Sequence, residues 1–500
     1  MVENGGIMDN QKLKQNLQNN KVNVLKAIIF IAVILSPIIF TKYLIDTDTY
    51  FILNIGRYTL NNGFTTIDPF TLHEGLSYIF QQWLTGVIFY TVYKSFGYLG
   101  LVIMIIVQSI IMLIIMYKFL MLLTGDNFNI SIILTGYFAV NASWYMVTRP
   151  QIMSYIIVLL FILMIEKYAR TEKIRYLILL PVLSFAEINL HAAAWPLLFV
   201  FSLPFLCSSN KIASKINDIQ FRKIPLLISL AGCFIAGFIT PYGYKSMTYL
   251  FTSNGARHSR SISELQDPGL FNVRTLLVII TMAVILILIT VRYYQKKSFC
   301  IRYFLLCGGT FVMYMIAVRN VVYCGIGLCL YMAVLVNGIE LNTHIKLIKR
   351  DRNFILKTLT ILSLAILGIE IFKLGTIRLK PNGVENSCNQ IVEYMNANTD
   401  DKNLYTDFNT GGYFEFYGFK TTIDPRMELY TKKMNGVYDY YDEYIEASSG
   451  YIYYDDYFSK YDAKYIATRN KILNTLFEHD SKYEKLVDGD PYVLWIRHPD

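Results

Sequence analysis

Residues 45 to 84 read IDTDTYFILNIGRYTLNNGFTTIDPFTLHEGLSYIFQQWL. The residues just before them, 26 to 44, are apolar and long enough to cross a bilayer, so Asp46 and Asp48 stand where the chain leaves the hydrocarbon. Carboxylates at i and i+2 on an irregular segment can both point at one cation or one phosphate-bound metal, because hard divalent ions prefer oxygen ligands. Either could instead act as a general base within hydrogen-bond reach of a hydroxyl. The bland alternative is a helix end solvated by acidic residues. An amphipathic stretch follows, then a turn at Gly63 and the pair Asp68-Pro69.

Composition sets the surroundings of this segment. The 500 residues are 54% hydrophobic and 17% charged. Soluble domains carry about 25% charged residues, so a soluble enzyme is a poor fit. The apolar residues fall in runs of about 16 to 22, the length that spans ~30 Å of hydrocarbon at 1.5 Å per residue. They predict a polytopic α-helical membrane protein with eleven spans, at 26–44, 98–117, 129–147, 150–166, 175–189, 192–209, 224–240, 272–292, 302–318, 321–338 and 354–374. The first span follows Lys12, Lys14, Lys21 and Lys26 and ends without a small-residue cleavage site. It therefore reads as a retained helix preceded by a cytoplasmic segment, residues 1–25.

The net charge of +9 is not spread evenly. Residues 1–380 hold 34 Lys and Arg against 16 Asp and Glu, whereas residues 381–500 hold 12 against 21. The two parts face different surroundings, and no nucleic-acid partner is implied. Six of the seven cysteines (Cys207, Cys233, Cys300, Cys307, Cys324, Cys329) sit in or beside apolar runs, leaving Cys388 alone in the polar part. Neither a disulfide framework nor a metal-type CxxC spacing is present.

Four basic loops orient the spans: Lys167/Arg170/Lys173/Arg175, Lys211/Lys215/Arg222/Lys223, Arg292/Lys296/Lys297/Arg302 and Lys346/Lys349/Arg350/Arg352. All four fall on the cytoplasmic side if the apolar stretch 77–93, interrupted by Gln81, Gln82 and Gly86, lies along the outer surface instead of crossing. The expected organisation is a transmembrane region 26–379 with a first outer loop 45–97, and an extracytoplasmic α/β domain 380–500. Nearly every other ionisable residue then faces outward: Asp46, Asp48, Asp68, His73, Glu74, Arg149, Glu187, His191, Arg257, His258, Arg260, Glu264 and Arg319.

Beyond residue 380 helix-like and strand-like pieces alternate. A helix near 385–397 precedes NLYTDF, FKTTID and AKYIATR, then a short helix, then YEKLVDG and PYVLWIR as a closing pair. Nine tyrosines between 430 and 457 suit sugar stacking, the lipid interface or plain packing. The glycines of TGG at 410–412 are not a phosphate loop, since no GK[ST] follows. Asp424-Pro425-Arg426 is a candidate contact back to the membrane site.

A D-x-D in the first outer loop of a polytopic protein, followed by a surface helix, resembles the GT-C superfamily of integral membrane glycosyltransferases. In layout it is similar to the protein mannosyltransferase and aminoarabinose transferase branch. The resemblance covers the topology of the whole chain and rests on Asp46, Asp48 and the segment through Trp83-Leu84. It implies transfer of a sugar from a polyprenyl-phosphate donor to a glycan, lipid or protein acceptor on the outer face of a cell membrane. Asp46 or Asp48 would be the catalytic carboxylate, and in metal-dependent members the pair would hold a divalent cation such as Mg or Mn.

The remaining outer residues take candidate roles under that resemblance. Arg149, Arg257, Arg260 and Arg319 suit the donor phosphate, because a guanidinium fork binds two oxygens. Glu187, His191, His258 and Glu264 are candidates for acceptor binding or proton transfer. The long loop 241–268 would form a mobile cover. The competing readings are a transporter or flippase of a lipid-linked envelope precursor, and a non-catalytic protein of envelope polymer assembly. Transporters place polar groups near mid-membrane and show internal repeats, and these spans show neither.

Overall fold

The computed structural model describes residues 20–41, 47–207, 219–253, 262–337, 347–375 and 383–498. It is a mostly helical protein with several apolar helices and a small C-terminal sheet. A helix stands at each stretch read as a span: Asn20–Phe40, Trp83–Thr124, Phe128–Ala142, Gln151–Thr171, Arg175–Leu190, Pro196–Leu206, Lys223–Ala236, Val273–Tyr294, Ile301–Ile316, Val321–Val336 and Leu347–Gly375. Among the described residues, six helices are long and apolar enough to cross a membrane. Helices from Asn20–Phe40 through Val321–Val336 share one apolar core running from Ile34 to Leu335.

The stretch 77–93 behaves differently from a segment lying flat on the membrane. Residues 77–82 are not helical, and Tyr78 and Phe80 are buried in a cluster with Tyr405, Ile423 and Tyr430 of the C-terminal part. A helix then starts at Trp83 and runs to Thr124, broken at Gly97 (φ 60°, ψ −157°), a backbone conformation that favours glycine. The helix Asp48–Asn62 lies against this one so closely that a Cβ on Gly56 would stand 2.0 Å from the Gly86 carbonyl oxygen. Only glycine lets two backbones approach in this way.

Two of the buried charges among the helices, Glu166 and Arg302, are paired, which offsets the cost of burying them. Glu166 accepts from Arg302 Nε at 3.1 Å, Arg302 Nη2 at 3.1 Å and Arg170 Nε at 2.7 Å, and both Glu166 and Arg302 are buried. Arg292 donates to the carbonyls of Leu335 at 3.0 Å and Asn337 at 2.8 Å. Two arginines that the charge pattern assigns to basic loops thus also pin helix ends together.

The C-terminal part holds a five-stranded mixed sheet in the order β2-β1-β3-β5-β4. The strands are β1 (Asn403–Thr406), β2 (Lys420–Thr421), β3 (Tyr465–Thr468), β4 (Tyr483–Asp488) and β5 (Val493–Arg497). β1 runs parallel to β2 and β3, while β3/β5 and β4/β5 are antiparallel. FKTTID is only a two-residue strand, because its later residues turn away to carry Asp424 and Arg426 inward. The helix Gly383–Asn398 covers one side, burying Cys388, Ile391 and Met395.

The first loop continues this sheet. Thr71 forms a parallel bridge to Thr421 on β2, with Leu72 N donating to Thr421 O at 2.9 Å. Asn54 Nδ2 donates to Gly412 O at 3.2 Å, Arg57 Nη1 to Phe416 O at 2.9 Å, and Tyr50 OH to Glu385 at 2.9 Å. The amphipathic helix Asp48–Asn62 is therefore clamped between the bundle and the C-terminal part. That clamp sets the position of its first residue, Asp48.

Candidate functional site

Asp48 opens the helix Asp48–Asn62, where the helix dipole favours a carboxylate. Its neighbour Thr49 is buried and donates to Thr148 O at 3.0 Å, which draws the helix start against the turn carrying Arg149. Arg149 Nη2 is 2.9 Å from Asp48 Oδ2, and Nη1 is 2.8 Å from Glu264 Oε1. One guanidinium thus bridges two carboxylates from loops far apart in sequence. The Glu264 turn, Ser263–Leu265, is held in turn by Val318 N donating to Gln266 O at 3.0 Å, which sets it beside Arg319.

His191 ends the helix Arg175–Leu190 in extended backbone, and its Nδ1 lies 2.8 Å from Ser154 Oγ. Burial, with Arg319 nearby, pushes its imidazole down to about 4, so it is neutral near pH 7. Gln81 secures the same turn from the first loop. Its carbonyl accepts from Ala192 N at 2.9 Å and its Oε1 from Ala193 N at 3.2 Å.

These residues surround a groove of about 220 Å³ between one end of the bundle and the C-terminal part. Asp48, Arg149, His191, Glu264 and Arg319 line one wall, and Arg426 and Glu428 lie across from them. A further cavity of about 280 Å³ shares Gln151, His191, Glu264 and Arg319, and continues the groove inward past Tyr145, Tyr155 and Tyr323. The structure thus brings Asp48, Arg149, His191, Glu264 and Arg319 together. Glu187 is buried one turn before His191 and does not line the groove. Asp46, Arg257, His258 and Arg260 lie outside the described residues.

The opposite wall rests on a buried charge cluster. Arg426 Nε donates to both oxygens of Asp424 at 3.0 Å, Nη1 pairs with Asp68, and Nη2 is 3.8 Å from Glu415. Tyr430 OH donates to Asp424 at 2.7 Å. Burial opposes ionisation of Asp424, but the Arg426 charge and hydrogen bonds outweigh it and hold the carboxyl below its ordinary range. Glu415 is the opposite case: burial, then Asp424, raise it well above the ordinary glutamate value. Asp424-Pro425-Arg426 does reach back toward the membrane part, through Asp68 of the first loop. Beside this cluster, Glu428 accepts hydrogen bonds from Tyr78 and Tyr249, so one carboxylate links the first loop and the helix Tyr244–Thr252.

Several lining residues escaped the sequence reading. Gln81 and Gln82 were legible only as interruptions of an apolar run, though a buried amide in such a run signals a specific partner. Glu428 and Tyr249 carried no local signal at all. As for a divalent ion, no three metal-ligating side chains converge among the described residues. The Arg149 guanidinium itself stands between Asp48 and Glu264, where an ion bridging those carboxylates would sit.

No family model and no curated protein matches the sequence. Solved structures do match. The oligosaccharyltransferase AglB of Archaeoglobus fulgidus, in complex with an inhibitory peptide and a dolichol-phosphate, aligns over 88% of this chain and 69% of its own, at 12% identity and TM-score 0.57. Its apo form aligns over the same shares at 12% identity and TM-score 0.55. The form tethered to an acceptor peptide with an NVT sequon covers 88% of this chain and 68% of its own, at 11% identity and TM-score 0.56. At such low identity the likeness is one of fold alone.

Proposed function

We propose that this protein is a membrane glycosyltransferase of the GT-C type, which moves a sugar from a polyprenyl-phosphate-linked donor to an acceptor on the outer face of the membrane. The observation that carries the reading is the groove in which Asp48, Arg149, His191, Glu264 and Arg319 converge between bundle and C-terminal part. Glycosyl transfer needs a base for the incoming hydroxyl and cations for the departing phosphate, and this wall offers both. The shared fold with a lipid-dependent oligosaccharyltransferase supports the class.

In the proposed step Asp48 takes the proton of the acceptor hydroxyl as its oxygen attacks the anomeric carbon. The bond from that carbon to the phosphate oxygen breaks, and the phosphate leaves with the electron pair. Arg319 and Arg149 offset the charge that develops on it. The orientation is part of the proposal: the basic loops face the cytoplasm, and the groove and sheet face outward.

The test is transfer of radiolabelled sugar from a panel of polyprenyl-phosphate donors by the purified protein in nanodiscs. Asp48→Asn is expected to lower transfer by roughly 10²- to 10⁴-fold, the range general-base catalysis supplies, while leaving folding and donor binding in place. Transfer by the variant at the wild-type rate would remove Asp48 from the mechanism.

A further inference from the structure

Arg149 and Glu264 line a second cavity besides the groove. It measures about 500 Å³, and Trp144, Asp267, Asn272 and Arg274 also line it. Trp144, Asn272 and Arg274 border a third cavity of about 570 Å³, whose other walls include Val140, Phe271 and Leu277. The pair of cavities therefore runs from charged to apolar. Its mouth is unusually greasy: Phe271 is 93% exposed, Val273 80% and Trp144 55%. Those residues sit at the ends of the helices Phe128–Ala142 and Val273–Tyr294, where an exposed aromatic suits a bilayer interface.

Arg274 is the feature to explain. Its guanidinium lies 3.1 Å from the centroid of the Trp144 ring, and among the described residues no carboxylate pairs with it. It is the second residue of a 22-residue helix, where the dipole disfavours a cation. A charge held against the dipole, over an aromatic face and without an acidic partner, is set up to receive an anion.

We infer that this second cavity binds the anionic head of a membrane-borne amphiphile, with Arg274 on the head, Trp144 beside it and the tail along Val140, Phe271 and Leu277. Resting on the transferase reading above, the occupant is the acceptor, because Arg319 in the groove serves the donor phosphate. Donor and acceptor then meet at Arg149 and Glu264, which line both the groove and the second cavity, and the acceptor is itself lipid-anchored.

The test measures binding, not transfer. Spin-labelled dodecyl phosphate is titrated into the full-length protein in zwitterionic nanodiscs, and the bound fraction is read by electron paramagnetic resonance. Arg274→Gln should weaken binding about tenfold or more, the loss of a charge-assisted contact, with Arg274→Lys keeping most of it. Arg319→Gln, which removes the phosphate contact of the groove, should leave the Arg274-dependent component of binding in place, and Lys245→Gln, which lines neither the groove nor these cavities, should bind like the wild type. Wild-type binding by Arg274→Gln, or disappearance of the Arg274-dependent component in Arg319→Gln, overturns the site. Competition by inorganic phosphate as strong as by unlabelled dodecyl phosphate assigns the cavity to a free anion and overturns the lipid anchor. Binding that depends on Arg274 in a protein that turns over no donor would leave this site standing and sink the transferase reading instead.

Discussion

Arg149 Nη2 lies 2.9 Å from Asp48 Oδ2, so the candidate base is held by a cation from the turn between two membrane helices. The same guanidinium reaches Glu264, and its removal would release both carboxylates at once. Arg149→Ala should reduce transfer by roughly 10²-fold, as for loss of one preorganised charge-stabilising group. Arg149→Lys should recover only part, because an ammonium cannot fork to two carboxylates. Steady-state transfer rates for both variants decide this, and full activity in Arg149→Ala would detach the bridge from catalysis.

Arg426 is buried among Asp68, Asp424 and Glu415, and it joins the first loop to the C-terminal part. Arg426→Met should destabilise the protein by about 3–5 kcal/mol, the usual result of stripping the partner from a buried charge. The double variant with Asp68→Asn should be less damaged than the sum of the singles. Thermal unfolding in nanodiscs measures each, and simple additivity would show that the two residues are uncoupled.

The same cluster makes a pH prediction. Glu415 has its folded value raised above the ordinary 4.5, so its stabilising contribution is full below pH 4.5 and falls as pH rises toward the folded value. Asp424 is lowered below 3.8, so its contribution is present above pH 3.8 and is lost on further acidification. Stability contributed by the cluster should therefore peak in mild acid. Glu415→Gln should flatten the decline above pH 4.5 and leave the acid limb in place. A pH series of melting temperatures for wild type and variant reads both limbs, and an unchanged upper limb would clear Glu415 of the effect.

Gly56 faces the Gly86 carbonyl with no room for a Cβ, so Gly56→Ala must push two backbones apart. A loss of at least ~3 kcal/mol is expected, above the usual overpacking range because the obstacle is main chain. Nothing stands within 4 Å of a Cβ built on Gly97, so Gly97→Ala should cost only the strain of its positive φ. Equal melting temperatures for Gly56→Ala and wild type would contradict the close approach.

What could be read from the chain alone was whatever its physics makes local. A span announces itself because hydrocarbon thickness demands a run of apolar residues, so stretches such as 272–292 and 321–338 were visible, and each carries a helix. PYVLWIR and YEKLVDG were legible as a strand pair because strand-forming residues sit beside turn formers. Asp48 and Arg149 could be picked out as charges at helix ends, but nothing in either segment says that they touch. Their meeting depends on Thr49 reaching Thr148, and Glu264 joins them through the Gln266–Val318 contact. The same holds for Arg426 on Asp68 and for Gln81 under the His191 turn. Hydropathy and periodicity are properties of neighbours in sequence. A polar site is made by partners from distant loops, and only the packing of helix on helix and sheet on loop decides which buried charge faces which.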